Sequence, residues 1–241
     1  MSWCDKLAST PAVGFGLDWH FAPASDILDT LSPMLDKLVA RDQPTFTVER
    51  PEQFSVSVTT LDGFQYGVDP NKVHVSFHHR MKPKFISGGP PVMEMLSRPL
   101  PYTSLLPEVS KKLVDITMNI PGPRNRFINR VGIVSTTVVS PNEIPPGISR
   151  FIDYMSRPWP NGLRGYNFNI ASEIQNSTHW TDQCIHNISR PEDPEELITL
   201  QFDWQRIFHN GRARNKDVLT EILSEAQKNA LKYFEELVDR T

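Results

Sequence analysis

The sequence predicts an α+β fold built twice over. Two observations carry this: short alternating strands separated by tight turns, and the same element order in each half of 241 residues. A third is the spacing of the long amphipathic stretches, one closing each half.

Val13 to Phe21 reads as the first strand, with Phe15, Leu17, Trp19 and Phe21 alternating on one face. Ser25 and Asp26 open a helical stretch carrying Leu28, Leu31, Leu35, Leu38 and Val39, with Pro33 inside it. A meander follows. Phe54, Val56 and Val58 alternate, Asp62-Gly63 is a two-residue hairpin signal, and Phe64, Tyr66 and Val68 return. Asp69-Pro70-Asn71 makes the next turn, and Val73, Val75 and Phe77 form the third strand. Residues 83–107, rich in proline, read as a long connection, and a helix is expected from about Ser104 to Asn119.

The second half repeats this order. Phe127 to Val139 is a long β-branched strand, and Gly147 to Met155 a short helix. Strands are expected at about 165–175, 179–188 and 196–206, then a polar loop from Asn210 to Lys216. Leu219, Ile222, Leu223, Ala226, Ala230, Leu231, Phe234 and Leu237 then form one stripe on a terminal helix. Val13-Gly14 aligns with Val131-Gly132 at an offset of 118. The expected architecture is therefore two strand-helix-three-strand-helix units, residues 1–120 and 121–241, as antiparallel meanders covered by helices.

Composition excludes several classes. Net charge is −3, so no overall field dictates a nucleic-acid partner. Two cysteines, Cys4 and Cys184, are too few for a disulfide framework or a four-cysteine zinc site. With neither a signal peptide nor a long apolar run, a cytoplasmic protein that does not enter the membrane is expected. Gly14-Phe15-Gly16 starts a dinucleotide fingerprint, but Trp19 stands where its third glycine belongs. No phosphate loop, nucleophile elbow or His-Glu-x-x-His helix occurs, so no catalytic residue, metal or cofactor is assigned. Cys184 and His186 share a strand face, which reads as core packing rather than a metal pair.

From about residue 103 the chain resembles a sporadically distributed family of uncharacterised prokaryotic proteins of similar length. The resemblance rests on Phe127-Ile-Asn-Arg130-Val131-Gly132-Ile133, the Pro145-Pro146 turn, and Leu200-Gln-Phe-Asp203 before a terminal helix. The family's strand motif runs Arg-x-Gly-Leu-Arg-Tyr-x-Asn, and here Val134 and Ser135 replace its Arg-Tyr pair. The resemblance implies a fold and a prokaryotic setting rather than a reaction.

The leading functional expectation is a non-enzymatic binding or accessory protein that acts through its loops. Trp159, between two prolines, is the candidate anchor for a protein partner. The alternative is nucleic-acid binding through three basic clusters. Their candidate phosphate or acidic-partner residues are His79, Arg80 and Lys82; Arg124 and Arg126; and Arg212, Arg214 and Lys216. A third expectation is a ligand or enzyme site between the halves, lined by Tyr166, Glu173 and His179.

Overall fold

The computed structural model describes residues 10–17, 46–48, 56–60, 62–69, 71–79, 81–84, 92–95, 100–119, 127–159, 161–192 and 197–239. The expected helix at 25–39, and Trp19 and Phe21 of the first strand, lie outside the described residues. So do Arg80, Arg124 and Arg126.

The fold is α+β. The strands are β1 (Thr10–Leu17), β2 (Phe46–Val48), β3 (Val56–Thr60), β4 (Phe64–Asp69), β5 (Lys72–Phe77), β6 (Met81–Lys84) and β7 (Val92–Met95). They continue as β8 (Phe127–Val139), β9 (Tyr166–Asn176), β10 (Trp180–Arg190) and β11 (Ile198–Ala213). Three α-helices are described: α1 (Tyr102–Asn119), α2 (Pro146–Ser156) and α3 (Lys216–Asp239).

Nine strands form one antiparallel sheet in the order β2-β3-β4-β5-β1-β8-β11-β10-β9. The two meanders are thus joined edge to edge through β1 and β8. Outward from that pair, each half presents its first strand, then its last, then the two between. In β1 and β8, Val13 pairs with Ile133, Gly14 with Gly132 and Phe15 with Val131. Shifting β1 by 118 positions onto β8 maps the five pairs from Ala12 to Gly16 onto one another.

Strand alternation gives the sheet two unlike faces. Val13, Phe15, Val73, Val75, Ile133, Phe202 and Trp204 turn one way and join α1 and α3 in a continuous apolar cluster that spans both halves. α1 packs on β1 and β5, and α3 on β8 and β11, so both of these helices lie on this face. Phe234 and Leu223 are buried on α3, as its stripe predicts. One ion cluster sits inside this layer. Arg206 Nε donates to Asp182 Oδ1 at 2.7 Å and its Nη2 to Oδ2 at 2.8 Å, while Nη1 reaches Glu225 of α3 at 2.7 Å. The guanidinium carbon lies 3.9 Å from the Trp180 ring centre, a cation–π contact.

Three sequence expectations are corrected. The 83–107 connection contains β7, and β7 pairs with β6 as a separate hairpin. Its strands are four residues each and one carries Pro83, below the length at which alternation registers. β2 is also an added edge strand of three residues. Finally, β11 runs to Ala213, so most of the expected 210–216 loop is strand. A register shift between Ile207 and Arg212 carries it past β8, where Arg212 pairs with Ile128. The hairpin at Asp62-Gly63 is as expected, with Gly63 at φ 97°, a backbone region that favours glycine.

Candidate functional site

The opposite face carries a cleft across the central strands, with a volume of about 290 Å³. Its floor is glycine. Three rows cross it, each following backbone pairing. Lys72, Gly16 and Arg130 form the first. His74, Gly14, Gly132 and Gln205 form the second, and Ser76, Ala12, Val134 and Asp203 the third. Glycine inside a strand weakens it and marks close approach of another group. Here Gly14 and Gly132, directly paired, leave a hollow where side chains would otherwise stand, while the Asn129 amide oxygen stands over Gly16.

The walls lean over that hollow. A Cβ at Gly14 would sit 3.3 Å from Lys72 Cε, and one at Gly132 would sit 3.9 Å from Asp203 Oδ1. Gly67, beyond His74 in the second row, serves differently: the His74 imidazole occupies the volume its side chain would fill.

The polar groups form an incomplete network. Gln205 Nε2 donates to Asp203 Oδ2 at 2.6 Å, and Gln205 Oε1 accepts from Arg130 Nη1 at 3.4 Å. Asp203 Oδ1 and His74 Nδ1 are buried and have no hydrogen-bond partner. A buried polar atom without a partner costs about 1–3 kcal/mol, more for a charged group. Burial pushes the Asp203 carboxyl above its ordinary range, against Gln205, Arg130 and Lys72, which pull it down. His74 is lowered to about 4, first by burial and then by Lys72, so its ring is neutral at physiological pH. The walls thus carry Lys72 and Arg130, a carboxyl whose ionised form burial disfavours, one amide and a neutral imidazole.

No family model matches the chain, and neither a curated protein nor a solved structure is found to be similar to it.

The residues singled out from sequence lie elsewhere. Tyr166 and Glu173 are on β9, at the sheet edge, and His179 is in the β9–β10 turn, so none of the three lines this cleft. The junction expected to hold a site does hold a cleft, with different walls. The basic cluster after β5 and the one ending β11 stand at opposite ends of the strands. Ser76, near the end of β5, is level with Asp203, whereas Arg212 is level with Ile128 and Leu17. His79 packs edge-on against Phe77 at 5.2 Å, and neither ring nitrogen has a hydrogen-bond partner. Lys82 is on β6, Arg212 and Lys216 are exposed, and Arg214 is half-buried. Trp159 is 53% exposed, in a turn held by its N–H to Ser156 O at 2.9 Å and by Gly162 N–H to its own carbonyl.

Cys184 and His186 face the core. Burial pushes the Cys184 thiol far up and the His186 imidazole down. Among the described residues no group of three metal-ligating side chains converges, and no described helix is long and apolar enough to cross a membrane.

Sequence reasoning passed over Lys72, His74, Asp203 and Gln205 because each is a lone polar residue on an alternating strand. The available signal was glycine within strands, at 14, 16 and 132, where a bulky residue is the rule.

Proposed function

We propose that this is a binding protein rather than an enzyme, and that it recognises its ligand in the cleft over Gly14, Gly16 and Gly132. The observation that carries this reading is the Asp203 carboxyl, whose buried Oδ1 lacks a donor beside the space left over Gly14 and Gly132. Polar groups held in an unsatisfied state destabilise a free protein, and ligand contacts offset that cost. Among the described residues that line the cleft none carries a hydroxyl or thiol, the commonest side-chain nucleophiles.

We further propose that the halves arose by duplication. The repeated strand order and the 118-residue offset support it. The resemblance to the prokaryotic family bears on the same place, since Arg130 and Gly132 of its motif both line the cleft.

The test is a plug. A Cβ at Gly132 meets nothing closer than 3.8 Å, so Gly132→Val adds bulk to the floor with little local conflict. Thermal denaturation is measured against a panel of small charged compounds at millimolar concentration. Compounds that raise the midpoint of the wild type should leave Gly132→Val unchanged. Equal shifts in both proteins would sink the cleft as the site. A protein partner held through exposed Trp159 is the second reading; Trp159→Ala would then weaken capture and Gly132→Val would not.

A further inference from the structure

We infer that the cleft takes a small zwitterion of the amino-acid class, its carboxylate held by Lys72 and Arg130 and its ammonium by Asp203. This rests on the cleft being the binding site and adds the ligand's chemistry.

Three observations converge on it. Lys72 and Arg130 flank Gly16 in one cross-strand row. Two strand spacings separate their backbones, about 10 Å. The Asn129 amide oxygen and Arg130 Nε stand over Gly16, and Lys72 Cε leans over neighbouring Gly14, so the two cations meet at one end of the cleft, which suits a single carboxylate. Next, Lys72 Cε lies over Gly14 and Asp203 Oδ1 over Gly132, and these two glycines are directly paired. Positive and negative groups therefore overhang neighbouring floor positions, one strand apart. Finally, Gln205 already engages Asp203 Oδ2, whereas Oδ1 is buried and lacks a donor.

Charge decides among ligand classes. A plain anion would satisfy Lys72 and Arg130 but leave Asp203 Oδ1 without a donor and facing a like charge. A plain cation would meet both basic side chains. A molecule with both charges a few bonds apart satisfies all three. His74, neutral, adds no third positive charge beside the ammonium. The volume of about 290 Å³ corresponds to roughly ten waters at about 30 Å³ each. That suits a free amino acid.

The experiment titrates each of the twenty free amino acids into the wild-type protein by calorimetry. Any that bind are repeated as the N-acetyl derivative and as the C-terminal amide. At least one free amino acid should bind, and blocking either end should weaken it at least tenfold. Asp203→Asn should weaken the free amino acid at least tenfold, and Lys72→Gln, a change at an exposed position, should do likewise. An N-acetyl form that binds as tightly as its parent would show a simple anion site and overturn the zwitterion. Failure of all twenty would overturn it as well. An amino acid whose binding survives Gly132→Val would instead overturn the cleft, so the two failures are distinguishable.

Discussion

Gly14 lies directly opposite Gly132 across β1 and β8, and this pair is the centre about which the register of the two strands repeats. It also floors the cleft. The position that joins the halves is therefore the position that leaves room for a ligand.

The glycines on the cleft face should respond differently to substitution. Gly67→Ala would place a methyl in the His74 ring, and overpacking of that kind costs about 1–3 kcal/mol. Gly132→Ala meets no atom closer than 3.8 Å and removes backbone freedom from the unfolded chain, so it should be neutral or stabilising by about 0.4–1 kcal/mol. Urea unfolding of the two variants checks the contrast.

His74 makes stability depend on pH. Its folded pKa of about 4 lies below the ordinary 6.5, so folding favours the neutral ring. That contribution is complete above pH 6.5 and is lost as pH falls from 6.5 towards 4, on the order of 3 kcal/mol at most. Urea unfolding at pH 7.5 and 4.5 should show a smaller acid loss for His74→Gln than for the wild type.

Asp203 acts with the opposite sign. Its carboxyl is raised by burial, so the folded state favours the protonated form and stability falls as pH rises through the raised value. At neutral pH the ionised group is a cost. Asp203→Asn should therefore raise the melting midpoint by about 2–4 °C, equivalent to about 1 kcal/mol. Below the ordinary carboxyl range the gain should vanish. A melting curve unchanged at pH 7 would show that the carboxylate is better solvated than its environment indicates.

The Arg206 cluster on the other face separates buried from exposed partners. Asp182 is buried and accepts from two guanidinium nitrogens, so Asp182→Asn, which leaves Arg206 with the exposed Glu225 carboxylate alone, should cost about 3–5 kcal/mol. Glu225, 54% exposed, holds the same arginine from α3, and Glu225→Gln should cost under about 1 kcal/mol. Comparable losses in the two variants would place the tie to α3 on a par with the tie to β10.

Much of the architecture was legible because alternation and helical spacing are strong in β4, β5, β8, β11 and α3. Phe64-x-Tyr66-x-Val68 and Leu200-x-Phe202-x-Trp204 state their buried face outright. β2, β6 and β7 were not legible, because three or four residues carry too little pattern. The end of β11 was misread because Asn210-Gly211 looks like a turn, while pairing with β8 resumes at Arg212. The candidate site was hidden for a different reason. Its walls come from strands about 60 and 130 residues apart in sequence, and only the lateral order of the sheet brings Lys72 and Arg130 to either side of Gly16. Basic runs near strand ends drew attention because consecutive charges are visible in a sequence, whereas convergence from separate strands is not.

The repeating register of β1 and β8 has a consequence for subunit logic. Each strand's pairing edge is matched to its own counterpart as well as to its actual partner, so a half cut free could close on a second copy of itself, β8 against β8 about Gly132. Lys72 stands beside Gly16, and Asp203 holds the matching place beside Val134. A dimer of first halves would set lysine against lysine, and a dimer of second halves would double both Arg130 and Asp203. Only a chain that joins the two unlike halves sets Lys72 opposite Asp203 across the glycine pair, and a single polypeptide guarantees that pairing at every concentration.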